Sequence, residues 1–212
     1  MTCVILNVKT KRRKGRKMAR SQVEKEASHT RIVKAAAAQI RQDGIDAVRV
    51  SELMREAGLT HGGFYRHFGS REDLIEEAID AALTDGSRQA DAGESLDPAA
   101  QLAQIIDSYV SKAHRDNPQV GCAVAALPAD VSRSGSRARQ AYTRQVRRYI
   151  DRLVGLIRAA EPDTKRDEAI LTLSALVGAV AMARAVEDPE LSDELLTRTA
   201  NALHRRAHEA AG

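Results

Sequence analysis

The chain has 212 residues, 43% of them hydrophobic and 29% charged, with 5 Pro, no Trp and 2 Phe. That length supports one large or two modest domains with real cores, and that balance excludes wholesale disorder. The net charge of +4 is unevenly placed: eight basic residues and no acid fall in the first twenty, so the remaining 192 residues carry −4.

Ala, Leu, Arg and Glu dominate and favour helix, and no stretch alternates as a half-buried strand does, so the fold class is all-α. Two cysteines, Cys3 and Cys122, make no disulfide framework and suit a reducing cytosol, so a cytoplasmic location is expected. Residues 1–27 form a basic N-terminal arm, expected to be disordered and suited to non-specific phosphate contacts. Met18-Ala19-Arg20 fits a translational start, and Met1–Val8 lacks the basic region and cleavage site of a signal peptide.

In chain order, Ser28 is a candidate N-cap for a helix whose Ile32, Val33, Ala36, Ala37 and Ile40 share one face, ended by Asp43-Gly44. Val50, Leu53, Met54 and Ala57 mark a short second helix, with Gly58 where a left-handed residue is wanted. Thr60 caps a third short helix reaching Phe68, and Ser70-Arg71-Glu72-Asp73 resembles a capping box for a helix to about Leu83. Thr84–Leu96, rich in Gly, Asp and Ser, reads as a connection. Asp97-Pro98 starts a helix to about His114, Asn117-Pro118 makes a turn, and a helix near Val120–Val131 follows. Arg137–Ala160, Arg166–Val186 and a segment from Asp188-Pro189 onward complete the helices. The apolar run Ala169–Val186 holds Thr172, Ser174 and Arg184, so a buried helix explains it better than a membrane span, and no membrane partner is expected. The chain divides into the arm (1–27), a small helical unit (28–75), a connecting helix (76–88) and a C-terminal domain (89–212).

Val50–Phe68 carries the chemistry. Two short helices joined by a tight glycine turn can set the second into the major groove of DNA, which is wide enough for a helix. Phe64 and Phe68, four apart, anchor that second helix, leaving Thr60, His61, Gly62, Gly63, Tyr65, Arg66 and His67 turned partly outward. Paired glycines in a helix cost about 1 kcal/mol each against alanine, and close approach to a phosphate would explain them. Arg71, a cation in a first helical turn, opposes the helix dipole unless a phosphate offsets it. Taken singly, Gly62-Gly63 reads as an ordinary loop and His61 or His67 as a surface histidine; their order and spacing together point to DNA.

Residues 28–75 resemble the N-terminal domain of the tetracycline-repressor (TetR) family. The resemblance rests on Ile32, Ala36, Gly44, the run Leu53-Met54-Arg55-Glu56-Ala57-Gly58-Leu59-Thr60, then Gly63-Phe64-Tyr65-Arg66-His67-Phe68 and Ser70-Arg71-Glu72-Asp73-Leu74. It implies a three-helix DNA-binding bundle, a larger helical ligand-binding and dimerisation domain, and an Ω-like homodimer on double-stranded operator DNA. It places Thr60, Gly62, Tyr65 and His67 on DNA-contact positions and Arg71 on a phosphate-binding lysine. Val48 and Arg49 replace threonines, removing a hydroxyl cap, though Arg49 can itself reach a phosphate. Gly121-Cys122 resembles a subgroup with that pair at the start of a C-terminal-domain helix.

The same resemblance implies a pocket for an unidentified small-molecule effector near Tyr109, Cys122, Leu127, Tyr142, Tyr149 and Met182. It also implies a four-helix dimer interface drawing on Leu173, Leu176, Val177, Val180, Leu191, Leu195 and Leu203. The expected role is a repressor released from a palindromic operator by an inducer; the alternatives are an activator, or a thiol sensor of electrophiles or oxidants acting through Cys122. No catalytic motif pairs Cys122 with a histidine and no histidine spacing suits a metal, so neither an enzyme, a metal nor a cofactor is expected. An architectural DNA-binding protein without an effector is the remaining rival.

Overall fold

The computed structural model describes residues 5–90, 97–158 and 161–209, and every regular element among them is helical. The first helix, α1 (Ile5–Asp43), is 39 residues long. It corrects the reading of a disordered arm: from Ile5 onward the basic segment continues the helix, while residues 1–4 lie outside the described residues. No proline interrupts the first 43 residues, which are rich in Lys, Arg, Glu, Gln and Ala. Once the packed turns around Ile32–Ile40 exist, adding helical residues in front of them costs little. Ser28 is therefore no N-cap; its hydroxyl donates back to the Glu24 carbonyl (2.8 Å) inside the helix.

Gly44 ends α1 with φ +83°, and a 3₁₀ turn (Ile45–Ala47) leads into α2 (Val50–Glu56). A second 3₁₀ turn (His61–Arg66) precedes α3 (Arg71–Ala90), whose start is capped by Ser70 Oγ accepting from the Asp73 N–H (3.0 Å). Helix α3 thus runs past Leu83 through much of the expected connection, of which residues 91–96 lie outside the described residues.

Asp97 caps α4 (Pro98–Tyr109), accepting from the Ala99 N–H at 2.9 Å. The single helix expected to His114 breaks instead, because Ser111 adopts an extended conformation and caps a new one-turn helix, α5 (Lys112–Asp116). A 3₁₀ turn (Pro118–Val120), α6 (Ala123–Ala126) and α7 (Pro128–Arg133) follow. The helix expected across Val120–Val131 is split by Pro128, which has no N–H to continue α6 and starts α7 instead. Three long helices end the chain: α8 (Ser136–Leu156), α9 (Pro162–Ala185) and α10 (Pro189–Glu209). Residues 159–160, where α8 was expected to end, lie outside the described residues.

Two hydrophobic cores hold the elements together. The second joins α4, α8, α9 and α10 around Ile106, Leu153, Leu176, Val180 and Leu196. The first surrounds Ile32, Ile40, Leu53, Met54, Leu74 and Ile79, each nearly or fully buried and worth about 1.5–3 kcal/mol on transfer from water. It does not stop at the boundary drawn near residue 88: Cys122, Val124, Leu127, Val131 and Ala138 belong to it as well. Polar contacts reinforce the join. Buried Arg41 of α1 donates to the Gln119 carbonyl (2.8 Å) and to the Ala82 carbonyl (3.4 Å). Arg137 and Arg144 of α8 reach Glu76 (2.8 Å) and Asp80 (2.9 Å) of α3.

Helix α9 is long and apolar enough to cross a membrane by length and composition. Its Ala169, Leu173, Leu176, Ala179, Val180 and Ala183 are buried against the rest of the chain, so it packs as a core helix.

Candidate nucleic-acid interface and effector cavity

The turn between α2 and the His61–Arg66 segment is fixed by its backbone. Gly58 has φ +72°, the Leu59 N–H donates to the Met54 carbonyl (2.8 Å), and the Gly58 N–H donates to the Arg55 carbonyl (3.0 Å). This paired closure needs a left-handed residue at position 58, which glycine supplies without a Cβ clash. The segment beyond it is a 3₁₀ turn rather than the α-helix expected through Phe68, and Thr60 makes no side-chain cap. Paired glycines explain the difference, since they weaken α-helix most in so short a piece.

Phe64 and Phe68 are each 3% exposed and stack at 5.4 Å between ring centroids, and His29 of α1 stacks on Phe68 at 4.5 Å. Anchored this way, the segment presents Thr60, His61, Gly62, Tyr65 and Arg66 to solvent, with Arg49 exposed at the start of α2. Tyr65 is 73% exposed. A side chain added at Gly62 would meet nothing within 4 Å, and one at Gly63 only ordinary contacts with Met54 and Thr60. Packing therefore does not require either glycine.

His67 and Arg71 differ from expectation. His67 is half-buried against His29, its Nδ1 buried without a partner. Burial first, then the nearby His29, Lys25 and Arg66, hold its pKa below the usual 6.5, so it is neutral at pH 7. Arg71 is half-buried and turned partly inward: its guanidinium donates to the Ile45 carbonyl (3.0 Å) and to the Val48 carbonyl (3.4 Å). Those carbonyls offset the cation's unfavourable place at a helix start, with no phosphate required.

The larger domain holds a cavity of about 340 Å³. Tyr109, Cys122 and Tyr149 line it. Leu127, Tyr142 and Met182 do not: Leu127 is fully buried in the first core, the Tyr142 hydroxyl donates to the Val124 carbonyl (2.8 Å), and Met182 is 51% exposed on the surface. Leu173 and Leu176, expected at the dimer interface, line the cavity instead.

His114, which sequence reading passed over, organises the cavity wall. Its Nδ1–H donates to the Tyr109 carbonyl (2.6 Å) and its Nε2 accepts from the Cys122 N–H (2.9 Å). Burial lowers its pKa, and the nearby Arg184 adds to that, while the bond to Tyr109 opposes it; a neutral ring is what this pair of bonds requires. Arg184 of α9 then donates to the His114 carbonyl (2.6 Å) and the Arg115 carbonyl (3.1 Å), closing the end of α5. This packing explains Gly121. A Cβ there would sit 2.8 Å from His114 Cδ2 and 3.0 Å from Arg184 Nη2. The imidazole beside Cys122 is committed to its backbone N–H rather than to its thiol, and the buried Sγ lies 3.7 Å from the Tyr149 hydroxyl. That arrangement does not favour a thiol sensor.

The expected dimer face also shifts. Leu173, Leu176, Val180 and Leu203 are buried in the chain's own core, and Val177 and Leu195 are half-buried against it. Of the expected set Leu191 is exposed, joined by Leu171 and Met182 of α9, with open space above Gly178.

Comparison with known proteins agrees with this geometry. Residues 32–78 match the model for bacterial regulatory proteins of the tetR family. The chain is 28% identical, over 169 residues, to an uncharacterised HTH-type transcriptional regulator of Mycobacterium tuberculosis, covering 74% of this chain and 84% of that protein. A second HTH-type regulator, from Bacillus subtilis, is 27% identical over 84 residues, 39% of this chain and 41% of that one. The fold is shared with a TetR transcriptional regulator from Chloroflexus aurantiacus (TM-score 0.71, 21% identity, 85% of this chain and 96% of that one). It is shared equally with one from Agrobacterium tumefaciens (TM-score 0.71, 16% identity, 86% and 98%).

Proposed function

We propose that the chain is a TetR-family transcriptional regulator, as the match of residues 32–78 to that family's model supports, and that it is a ligand-responsive repressor, released from a palindromic operator when a small molecule occupies the cavity beside His114. Tyr65 is the observation that carries the DNA-contact assignment: a large aromatic side chain, 73% exposed, on a turn whose neighbours Phe64 and Phe68 are buried. A phenol held out this way suits a hydrogen bond to a phosphate oxygen. Arg49, Thr60, His61, Gly62 and Arg66 complete the contact surface, and Gly63 lets the backbone approach. His67 and Arg71 position the turn from behind. The N-terminal extension of α1 adds sequence-independent attraction that falls with salt.

Two copies reading half-sites about 34–36 Å apart, or a multiple of that, require a dimer. The face of α9 around Leu171, Gly178 and Met182, with Leu191 of α10, is the surface assigned to the second copy. The domain limits follow from the same reading: residues 28–75 contact DNA, α3 links, and residues from 89 onward bind effector and dimerise.

The test is footprinting of the full-length protein on genomic fragments, with Tyr65→Ala beside it. A short protected palindrome, lost in the variant while its helical content is kept, is the expected result. Diffuse protection along any DNA would mean an architectural protein instead.

A further inference from the structure

The cavity wall is largely apolar and carries a cation. Ile105, Val120, Leu153, Leu173 and Leu176 supply hydrocarbon, and half-buried Arg152 of α8 lines the same space. Among the described residues no aspartate or glutamate does. Most neutral polar side chains there are engaged with the protein itself. Ser108 Oγ donates to the Ile105 carbonyl (3.2 Å), Ser111 Oγ donates to the Ser108 carbonyl (2.8 Å), and Asn117 Nδ2 donates to the Ala113 carbonyl (2.8 Å). Both ring nitrogens of His114 are used, and the Tyr109 hydroxyl is sealed within the wall. Arg152 has contacts of its own in the chain, yet a guanidinium carries five N–H donors in a planar fork and can take a carboxylate besides. A second cation stands behind the wall. Arg184 Nη2 lies 3.0 Å from where a Cβ would sit on Gly121, a lining residue. The groups Arg184 bonds are the His114 and Arg115 carbonyls, not a carboxylate. Burial lowers its pKa, so that charge is poorly solvated and an anion nearby would stabilise it.

We propose that the cavity binds amphipathic monoanions, a single carboxylate on an apolar body of one or two rings, and that Arg152 is the residue that reads the carboxylate. This rests on the effector-binding reading of the cavity given above. A guanidinium meets one carboxylate through two parallel hydrogen bonds, while the leucine and isoleucine wall takes the rings. Burial raises the Tyr149 pKa, so a lone negative charge is disfavoured in this wall; a carboxylate is admitted only against Arg152. The described lining offers no second cation in contact for a dianion, and no carboxylate for a cation. A polyol finds few open partners among side chains already bonded to the backbone. The volume of about 340 Å³ lies at the lower end of small-molecule sites, which sets the size limit.

Calorimetry on the full-length protein with four probes tests this: naphthoate, its neutral amide naphthamide, naphthylmethylammonium and acetate. Naphthoate should bind about 10-fold more tightly than naphthamide, the lower end of what a hydrogen bond to a charged group supplies, because Arg152 is partly exposed. Acetate, which has the charge without the rings, should bind more weakly than either. In Arg152→Gln the naphthoate-to-naphthamide ratio should fall to about one, and in Arg152→Lys part of it should remain. The wild-type ratio should also shrink as salt is raised, which reads the same charge without any substitution. Equal affinity for naphthoate and naphthamide in the wild type overturns the proposal. So does an unchanged ratio in a folded Arg152→Gln protein, tighter binding of the ammonium or of acetate, or no binding of any probe. Operator release is read in parallel. Naphthoate binding that depends on Arg152 but leaves the protein on its operator refutes the inducer reading and leaves the ligand class standing. Release by naphthamide as readily as by naphthoate refutes the ligand class and leaves the inducer reading standing.

Discussion

Gly121→Ala is the sharpest perturbation that the structure offers. The backbone at Gly121 is extended (φ −78°), so alanine is conformationally allowed there and only space opposes it. The new methyl would lie 2.8 Å from His114 Cδ2, 2.9 Å from His114 Nε2 and 3.0 Å from Arg184 Nη2. None of these is a loose side-chain end. His114 is held at both nitrogens, at 2.6 and 2.9 Å, and Arg184 is held by two carbonyls, at 2.6 and 3.1 Å. Relieving the overlap moves the imidazole and weakens the Cys122 N–H bond, about 1 kcal/mol, on top of about 1–3 kcal/mol for forcing volume into a packed site. A loss of about 3 kcal/mol corresponds to roughly 6–12 °C in melting temperature for a chain of this size. Thermal unfolding followed by far-ultraviolet circular dichroism reads it directly. Gly155→Ala is the matched control: it adds the same methyl on α8 with nothing within 4 Å. That variant should gain up to about 1 kcal/mol from helix propensity. A Gly121→Ala protein melting within a degree of wild type would show that His114 and Arg184 are not the rigid clamp described.

Arg41→Met removes the buried guanidinium that ties α1 to the Gln119 carbonyl, leaving that acceptor unpaired; a loss of about 2–3 kcal/mol in urea unfolding is expected, and an unchanged midpoint would contradict it. Arg71→Ala should lower stability by about 1 kcal/mol through the Ile45 and Val48 carbonyls, measured the same way. Acid should destabilise the fold early. His67 and His114 both have pKa values lowered from 6.5, so the unfolded chain binds protons more readily, and stability falls as pH drops below 6.5 while staying flat above it. Asp116 and Asp193, lowered from 3.8, add their loss only in stronger acid; a melting temperature unchanged between pH 7.5 and 5.5 would refute the histidine assignment. Leu171→Glu should shift the protein toward monomer in size-exclusion chromatography with light scattering, and an unaltered dimer would move the interface elsewhere.

What was legible in the sequence was mostly local. Gly44 and Gly58 announce left-handed turns, and Ser70, Asp97 and Asp188 announce helix starts, because each acts on backbone within three residues of itself. The outward set around Tyr65 could be read from Phe64 and Phe68 by spacing alone. The rest depends on distant partners. That Arg71 also braces the Ile45 and Val48 carbonyls appears only when those residues come within reach of it. Helix α9 is apolar on nearly every side, so periodicity could not say that Leu173 and Leu176 face inward while Leu171 and Met182 face out. His114 carries no motif, and its role appears only when Tyr109, Cys122 and Gly121 fold around it. Gly121 did leave a trace, as a glycine next to Cys122 with no turn chemistry to justify it.

The shared core has a bearing on how such a protein can be recombined. A graft that transplants residues 1–88 onto the C-terminal domain of another protein would cut through a hydrophobic unit, stripping Ile40, Leu53 and Ile79 of the Val124, Leu127 and Val131 that pack in the same cluster. It would also leave Arg41 with a foreign carbonyl, or none, in place of Gln119. A transferable reader must therefore bring the 118–141 stretch along with its own helices, or be given a recipient whose sequence there is matched to it. The true unit of exchange is discontinuous in the chain, and if the proposed contact surface is right, a new operator specificity is better installed at positions 60–66 alone than by swapping the whole front end.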